Sequence, residues 1–187
     1  MALRRGEVIA VPTDTVYGLA ANPFDPTAVS RIFRLKRRPD TKPILLLIDD
    51  WRRLVPLVSR VPASLVALAR KFWPGPLTLI LPASPLVPTI ITAGTGSVAV
   101  RCPRSAFIQA LSRSLRAPLT GTSANLSGRP PATTAQQVLR QFGGRLCYVV
   151  DGGRASGRQV STIVDLTAEP RIVRPGAVPR RALEPYL

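Results

Sequence analysis

The chain has no histidine, and this absence removes whole classes of chemistry. Ser-His and Cys-His nucleophile pairs cannot be built, and no imidazole is there to ligate a metal. Cysteine is scarce. Cys102 and Cys147 lie far apart and form no CxxC, which excludes a structural zinc site. Thiols so placed are expected to be buried and reduced, as in a cytoplasmic protein. Acidic residues are few: ten Asp and Glu stand against 26 Lys and Arg, a net charge of +16. Lysine is limited to Lys36, Lys42 and Lys71, so the excess is nearly all arginine. Long apolar runs are missing too. Ile44 to Ile48 has the length of a strand, far below the ~20 residues of a spanning helix. Met1 to Gly6 carries no signal-peptide apolar region, so no membrane role is expected.

The residues that are present suit a single domain over residues 1–187, with 45% hydrophobic content for its core. Arginine is a planar donor suited to phosphate, so its excess points to an anionic partner, nucleotide or RNA. It equally suits a merely solvated arginine-rich surface. Neither GxxxxGK[ST] nor GxGxxG occurs, so nucleotide binding would rest on dispersed side chains.

The pattern along the chain reads as alternating strands and helices. Strands are expected at Glu7–Val11, Pro43–Ile48, Leu77–Leu81, Ser97–Arg101, Pro118–Thr120, Leu146–Val150, Ser161–Leu166 and Arg171–Val173. Asp25-Pro26 opens a helix, with Val29, Ile32, Phe33 and Lys36 on one face and Pro39 closing it. Further helices are expected from Asp49-Asp50 to Leu57, from Pro62 to Phe72, over Ala106–Leu115, and from Thr133-Thr134 to Phe142. Continuous apolar strands imply a sheet covered on both faces, and short connections imply some antiparallel pairs. The fold class is α/β: an open, twisted, mixed parallel and antiparallel sheet with flanking helices.

Three polar clusters fall where loops leave strands or helices, the places where such sheets bind ligands. Ser123-Ala-Asn125-Leu, bounded by Gly121 and Gly128, offers a hydroxyl, a carboxamide and backbone N–H groups. Alone it reads as a turn. Lys36-x-Arg38 ends a helix, where cations complement the helix dipole; the pair also offers one point charge and one planar fork to a common anion. Both residues are expected to be exposed. Thr13-Asp14-Thr15 precedes Tyr17 and reads alone as a capped turn with a core tyrosine. Arg101 and Arg174 each end a strand just ahead of a proline.

Taken in order, Pro12-Thr-Asp-Thr-Val-Tyr-Gly-Leu19, Lys36-x-Arg38, Trp73-Pro-Gly-Pro-Leu-Thr78, Val98-Ala-Val-Arg101, Thr122-Ser-Ala-Asn-Leu-Ser-Gly128, Ser161-Thr-Ile-Val-Asp165 and Arg174-Pro-Gly176 resemble the YrdC/TsaC family of threonylcarbamoyl-AMP synthases. The resemblance runs from about Gly6 to Gly176 and implies the YrdC-like fold. It implies that L-threonine, bicarbonate and ATP give threonylcarbamoyl-AMP and pyrophosphate, with Mg²⁺ carried by the ATP phosphates. It makes Lys36, Arg38, Ser123 and Asn125 the nucleotide-holding residues, Lys36 and Arg38 being the catalytic pair. Lys42, Ser97 and Arg174 are further ATP contacts, and Thr13, Thr15, Arg101 and Ser161 hold threonine. No residue is assigned to a protein-bound metal. The implied partners are double-stranded RNA or tRNA and the downstream tRNA threonylcarbamoyltransferase machinery. Many relatives have histidine where this chain has Leu47, and many have a full helix before Gly6 where this chain has only Ala2 to Arg5. A longer form of the family carries a C-terminal domain that this chain is expected to lack. The rival reading is a basic RNA-binding module without catalysis.

Overall fold

The computed structural model describes residues 1–187 except Ser156 and Arg158. Among these, nine strands form one mixed sheet. They are β1 (Ile9–Val11), β2 (Gly18–Ala20), β3 (Leu45–Leu47), β4 (Leu77–Pro82), β5 (Ser97–Arg101), β6 (Leu119–Ser123), β7 (Tyr148–Val149), β8 (Thr162–Asp165) and β9 (Arg171–Arg174). Their spatial order is β7-β1-β2-β6-β3-β5-β4-β8-β9. β1–β7, β3–β5 and β4–β8 are parallel and the other neighbours antiparallel. The helices are α1 (Pro26–Lys36), α2 (Ala63–Phe72), α3 (Thr89–Thr92), α4 (Ala106–Leu115), α5 (Ala135–Phe142) and α6 (Arg180–Leu183).

The helix starts follow local chemistry. The Asp25 carboxylate accepts from the N–H groups of Thr27 and Ala28 at 3.0 and 3.1 Å, with Pro26 at the first helical position. The Thr134 hydroxyl caps α5 through the Gln137 N–H. α1 then buries Val29, Ile32 and Phe33, the stripe expected from their spacing.

Period-two alternation divides the sheet into two faces. On β5, Val98 and Val100 point into the larger core, where Leu46, Leu79 and Val164 meet Ile32 of α1 and Leu68 of α2. Ala99 and Arg101 point the other way. That second face is only partly roofed. Ile108 of α4 sits on Ile9, Val11, Leu47 and Leu119, which covers β1, β3 and β6. Full burial of Ile108 contributes about 1.5–3 kcal/mol. Beyond α4, towards β5, β4, β8 and β9, the same face lies open, and the gap is a cleft.

The structure differs from the sequence expectations at several points. Trp51–Leu57 is a 3-10 helix; Pro56 inside it has no N–H to donate, and its ring would clash with the carbonyl four residues back in an α-helix. β2 was not expected at all. β6 runs on to Ser123, held by ladders on both sides: Gly18↔Ser123 on one, Leu45↔Gly121 on the other. Ser123 is therefore a strand residue and not part of a loop. Of the cysteines, Cys102 is buried but Cys147 is exposed. Among the described residues, no helix is long and apolar enough to cross a membrane.

Candidate functional site

The cleft has a volume of about 330 Å³. Its floor is one row of register partners. Leu47 of β3 pairs with Arg101 of β5, and Ile163 of β8 pairs with both Thr78 of β4 and Arg174 of β9. By the register of β4 and β5, Thr78 lies opposite Arg101. Two arginines thus share one row of a sheet, with Thr78 and Ile163 between them.

Arg101 is almost completely buried, at 4% exposure, and three groups hold it. Its Nη2 donates to Asp14 Oδ1 at 2.6 Å, its Nη1 to Thr15 Oγ1 at 3.0 Å, and its Nε to the Gly75 carbonyl at 2.9 Å. Burial pushes the guanidinium pKa down, and Asp14 opposes that shift. Of five N–H donors, two remain for a ligand. Asp14 is fixed in turn, since its Oδ2 accepts the Arg104 N–H at 2.9 Å. Thr13 and Thr15 share a 3.0 Å hydroxyl contact, and Thr13 Oγ1 donates to the Val16 carbonyl at 2.6 Å. The Thr-Asp-Thr turn is therefore part of the scaffold around Arg101. Tyr17, fully buried, donates its hydroxyl to the Gly153 carbonyl and ties the chain after β7 to the same corner.

Arg174 reaches the cleft through a β-bulge. Ile163 pairs with Arg174 but Val164 pairs with Ile172, so Val173 has no partner. The slip turns Ile172 to the core face and Arg174 to the cleft face. Nε and Nη2 of Arg174 donate to the Ser161 carbonyl, and Nη2 also to Ser161 Oγ at 3.1 Å. Ser161 Oγ is 2.9 Å from Thr78 Oγ1. Both N–H groups of Nη1 stay free for a ligand. Burial, then Arg101, lower the Arg174 pKa, and among the described residues it has no carboxylate partner. An anion in the cleft would relieve both effects. Gly176 makes this corner tight: a Cβ there would sit 2.4 Å from the Val160 carbonyl oxygen and 2.6 Å from the Ser161 carbonyl carbon. Gly176→Ala is expected to cost about 1–3 kcal/mol of stability. It should also weaken ligand binding by moving Arg174 off Ser161, which a melting curve with parallel ligand titration checks.

At the other end, Arg38 and Ser123 line the cleft. Arg38 donates from Nη2 to the Pro43 carbonyl at 2.9 Å, while its buried Nε has no partner among the described residues. Buried N–H groups are seldom left without an acceptor, and a ligand in the cleft could supply one here. Burial lowers the Arg38 pKa. Lys36 departs from expectation. It is 2% exposed and lies beneath the cleft, because it follows Val29, Ile32 and Phe33 on the inward stripe of α1. Asn125 is also buried: its Nδ2 donates to the carbonyls of Leu126 and Arg129. Ser97 stands on the cleft-side face of β5, at the strand end away from Arg101, with Oγ 2.9 Å from Thr95 Oγ1. Lys42 is exposed and outside the cleft lining.

The structure thus gathers Thr13, Thr15, Arg38, Arg101, Ser123, Ser161 and Arg174 around one space. Asp14, Gly75 and Thr78 were not singled out from the sequence. Thr-Asp-Thr and Pro-Gly-Pro-Leu-Thr78 contain them, but only the fold shows what they touch. Among the described residues no group of His, Cys, Asp or Glu could hold a metal ion, and the one carboxylate beside Arg101, Asp14, is spent on it.

The family model for Sua5, YciO and YrdC proteins, described as "Telomere recombination", matches residues 1–176. A Pyrococcus abyssi protein named threonylcarbamoyl-AMP synthase is 42% identical over 183 residues, 97% of this chain. The match spans about half, 54%, of that relative's length. A protein of the same name from Thiobacillus denitrificans is 46% identical across 88% of this chain and 87% of its own. The crystal structure of P. abyssi Sua5 complexed with L-threonine superposes with a TM-score of 0.96 at 41% identity, covering 100% of this chain and 55% of that one. The chain belongs to the Sua5/YciO/YrdC family.

Proposed function

We propose that this protein is an L-threonylcarbamoyladenylate synthase. L-Threonine, bicarbonate and ATP give threonylcarbamoyl-AMP, pyrophosphate and water. The observation that carries the reading is one cleft lined by Arg38, Arg101 and Arg174, of which, among the described residues, Arg101 alone has a carboxylate partner. Such a cleft suits a substrate with several anionic groups.

In this reading Arg38 and Ser123 hold the ATP phosphates, with Ser97 and Arg174 towards the remainder of the nucleotide. Lys42 is near enough in sequence to Arg38 to join them when a nucleotide is present. Arg101, Thr15 and Ser161 hold threonine, with Thr13 behind Thr15. The threonine nitrogen attacks the bicarbonate carbon, forming the carbamate C–N bond and expelling water. A carbamate oxygen then attacks the α-phosphorus, and the bond to pyrophosphate breaks. No enzyme nucleophile takes part. The arginines align the reactants and stabilise charge on the phosphate oxygens. Mg²⁺ fits this donor set only as a counter-ion brought in on the phosphates, with water completing its shell. The product serves threonylcarbamoyladenosine formation in tRNA, handed on to a transferase. Exposed arginines such as Arg34, Arg37, Arg52 and Arg113 favour a second role, contact with the phosphates of double-stranded RNA or tRNA.

Pyrophosphate release from ATP is expected to require both threonine and bicarbonate. Turnover that proceeds without threonine, or that yields ADP and phosphate, overturns the reading.

A further inference from the structure

We infer that Lys36 is a positioning residue: with Asn125 it clasps the Ser123 end of β6 to the end of α1, and it does not itself hold the nucleotide. This rests on the proposal that Arg38 and Ser123 face the nucleotide. An ammonium group has three N–H donors. Those of Lys36 meet three oxygens: the Ser123 carbonyl, the Asn125 carbonyl at 2.9 Å and Asn125 Oδ1 at 3.3 Å. No donor is left for a phosphate. The main chain of Lys36 holds the same segment, its carbonyl accepting the Ser127 N–H at 2.9 Å.

Asn125 is as fully committed. Its carboxamide nitrogen donates to the Leu126 and Arg129 carbonyls at 2.9 and 2.7 Å, and its oxygen accepts from Lys36. Gln141 of α5 secures the next residues, accepting the Leu126 N–H and donating to the Pro130 carbonyl. Ser123 differs. Its carbonyl is in the clasp, its side chain lines the cleft, and its hydroxyl has no partner among the described residues. The clasp aims that hydroxyl and places Arg38 two residues beyond the anchored ammonium.

A compact ammonium suits three converging oxygens; a planar guanidinium does not. Among the described residues no carboxylate neutralises it, and burial, then Arg38, push its pKa down to about 8. Backbone and amide dipoles alone hold the charge there, as a structural role requires.

The test compares Lys36→Met, which keeps length but has no donors, with Asn125→Ala, which leaves the ammonium two of its acceptors. Amide hydrogen exchange is measured on the ligand-free proteins, and a non-hydrolysable ATP analogue is titrated into each. Both variants should exchange faster at Leu126 and Ser127, and both should bind the analogue about tenfold or more weakly. The double variant should lose little beyond the worse single, since both act through one clasp. Unchanged exchange in Lys36→Met together with lost affinity would make Lys36 a direct phosphate ligand and overturn the inference. Faster exchange with full affinity overturns it as well. Failure of the unsubstituted protein to bind the analogue counts against the proposed function, while the exchange arm still decides the clasp.

Discussion

Arg101→Met will cost about 3–5 kcal/mol of stability and abolish amino-acid binding. The cost arises less from the lost bonds than from the charge left behind. Asp14 is 10% exposed, and without Arg101 its Oδ1 faces a methionine thioether in place of a guanidinium. The carboxylate would then be desolvated with the Arg104 N–H as its remaining partner among the described residues. For a chain of this size each kcal/mol lowers the melting temperature by roughly 2–4 °C. A drop of about 6–20 °C is therefore expected by scanning calorimetry. Adding Asp14→Asn should recover part of the stability, because the pair is then replaced and not broken. It should not recover threonine binding, which in the proposed function uses the two remaining N–H groups of Arg101. A melting temperature unmoved by Arg101→Met would show that the pair contributes nothing to the fold.

Arg38→Ala should leave the fold nearly intact and remove most activity. Among the described residues its guanidinium makes a single hydrogen bond, to the Pro43 carbonyl, so little structure depends on it. The rest of its donors, Nε included, are open to a ligand. Losing one preorganised donor group at a phosphoryl centre costs about 2–4 kcal/mol in the transition state, or roughly 30- to 1000-fold in kcat/KM. Steady-state kinetics beside a melting curve separate the two effects. Near-normal turnover would return Arg38 to the role of a helix-end cation.

The strands and helices that declare themselves locally were legible in the sequence. Asp25-Pro26, Thr134 and the continuous apolar strands depend only on neighbours within a few residues. What was not legible depends on partners far along the chain. β2 is three residues with no period of its own, and it exists because β1 and β6 flank it. Gly121 and Ser123 are poor strand formers by composition, yet they belong to β6 because β3 pairs with the first and β2 with the second. The site was half visible. Arg38, Arg101, Ser161 and Arg174 lie where their motifs suggest, around the cleft. The burial of Lys36 could have been read, since it continues the apolar stripe of Val29, Ile32 and Phe33; a charged residue at a helix end simply invites the opposite reading. No local pattern announced Asp14 as the partner of Arg101, because the two lie 87 residues apart in the chain.

Arg174 faces the cleft by a matter of parity. In an unbroken strand it would share a face with Ile172, two residues away, and Ile172 packs into the core. The bulge sets Val173 aside, so that Ile172 and Arg174 take successive places in the ladder, opposite Val164 and Ile163. The direction of one arginine of the constellation is thus owed to an irregularity of pairing and not to residue type. Regular pairing of Val173 would return Arg174 to the face of Ile172, draw a guanidinium towards the core and empty one side of the cleft. Loss of Val173 would not: Arg174 would then follow Ile172 directly, still opposite Ile163 and still facing the cleft. Val173, exposed and outside the cleft lining, is therefore the residue of β9 that the site can best do without.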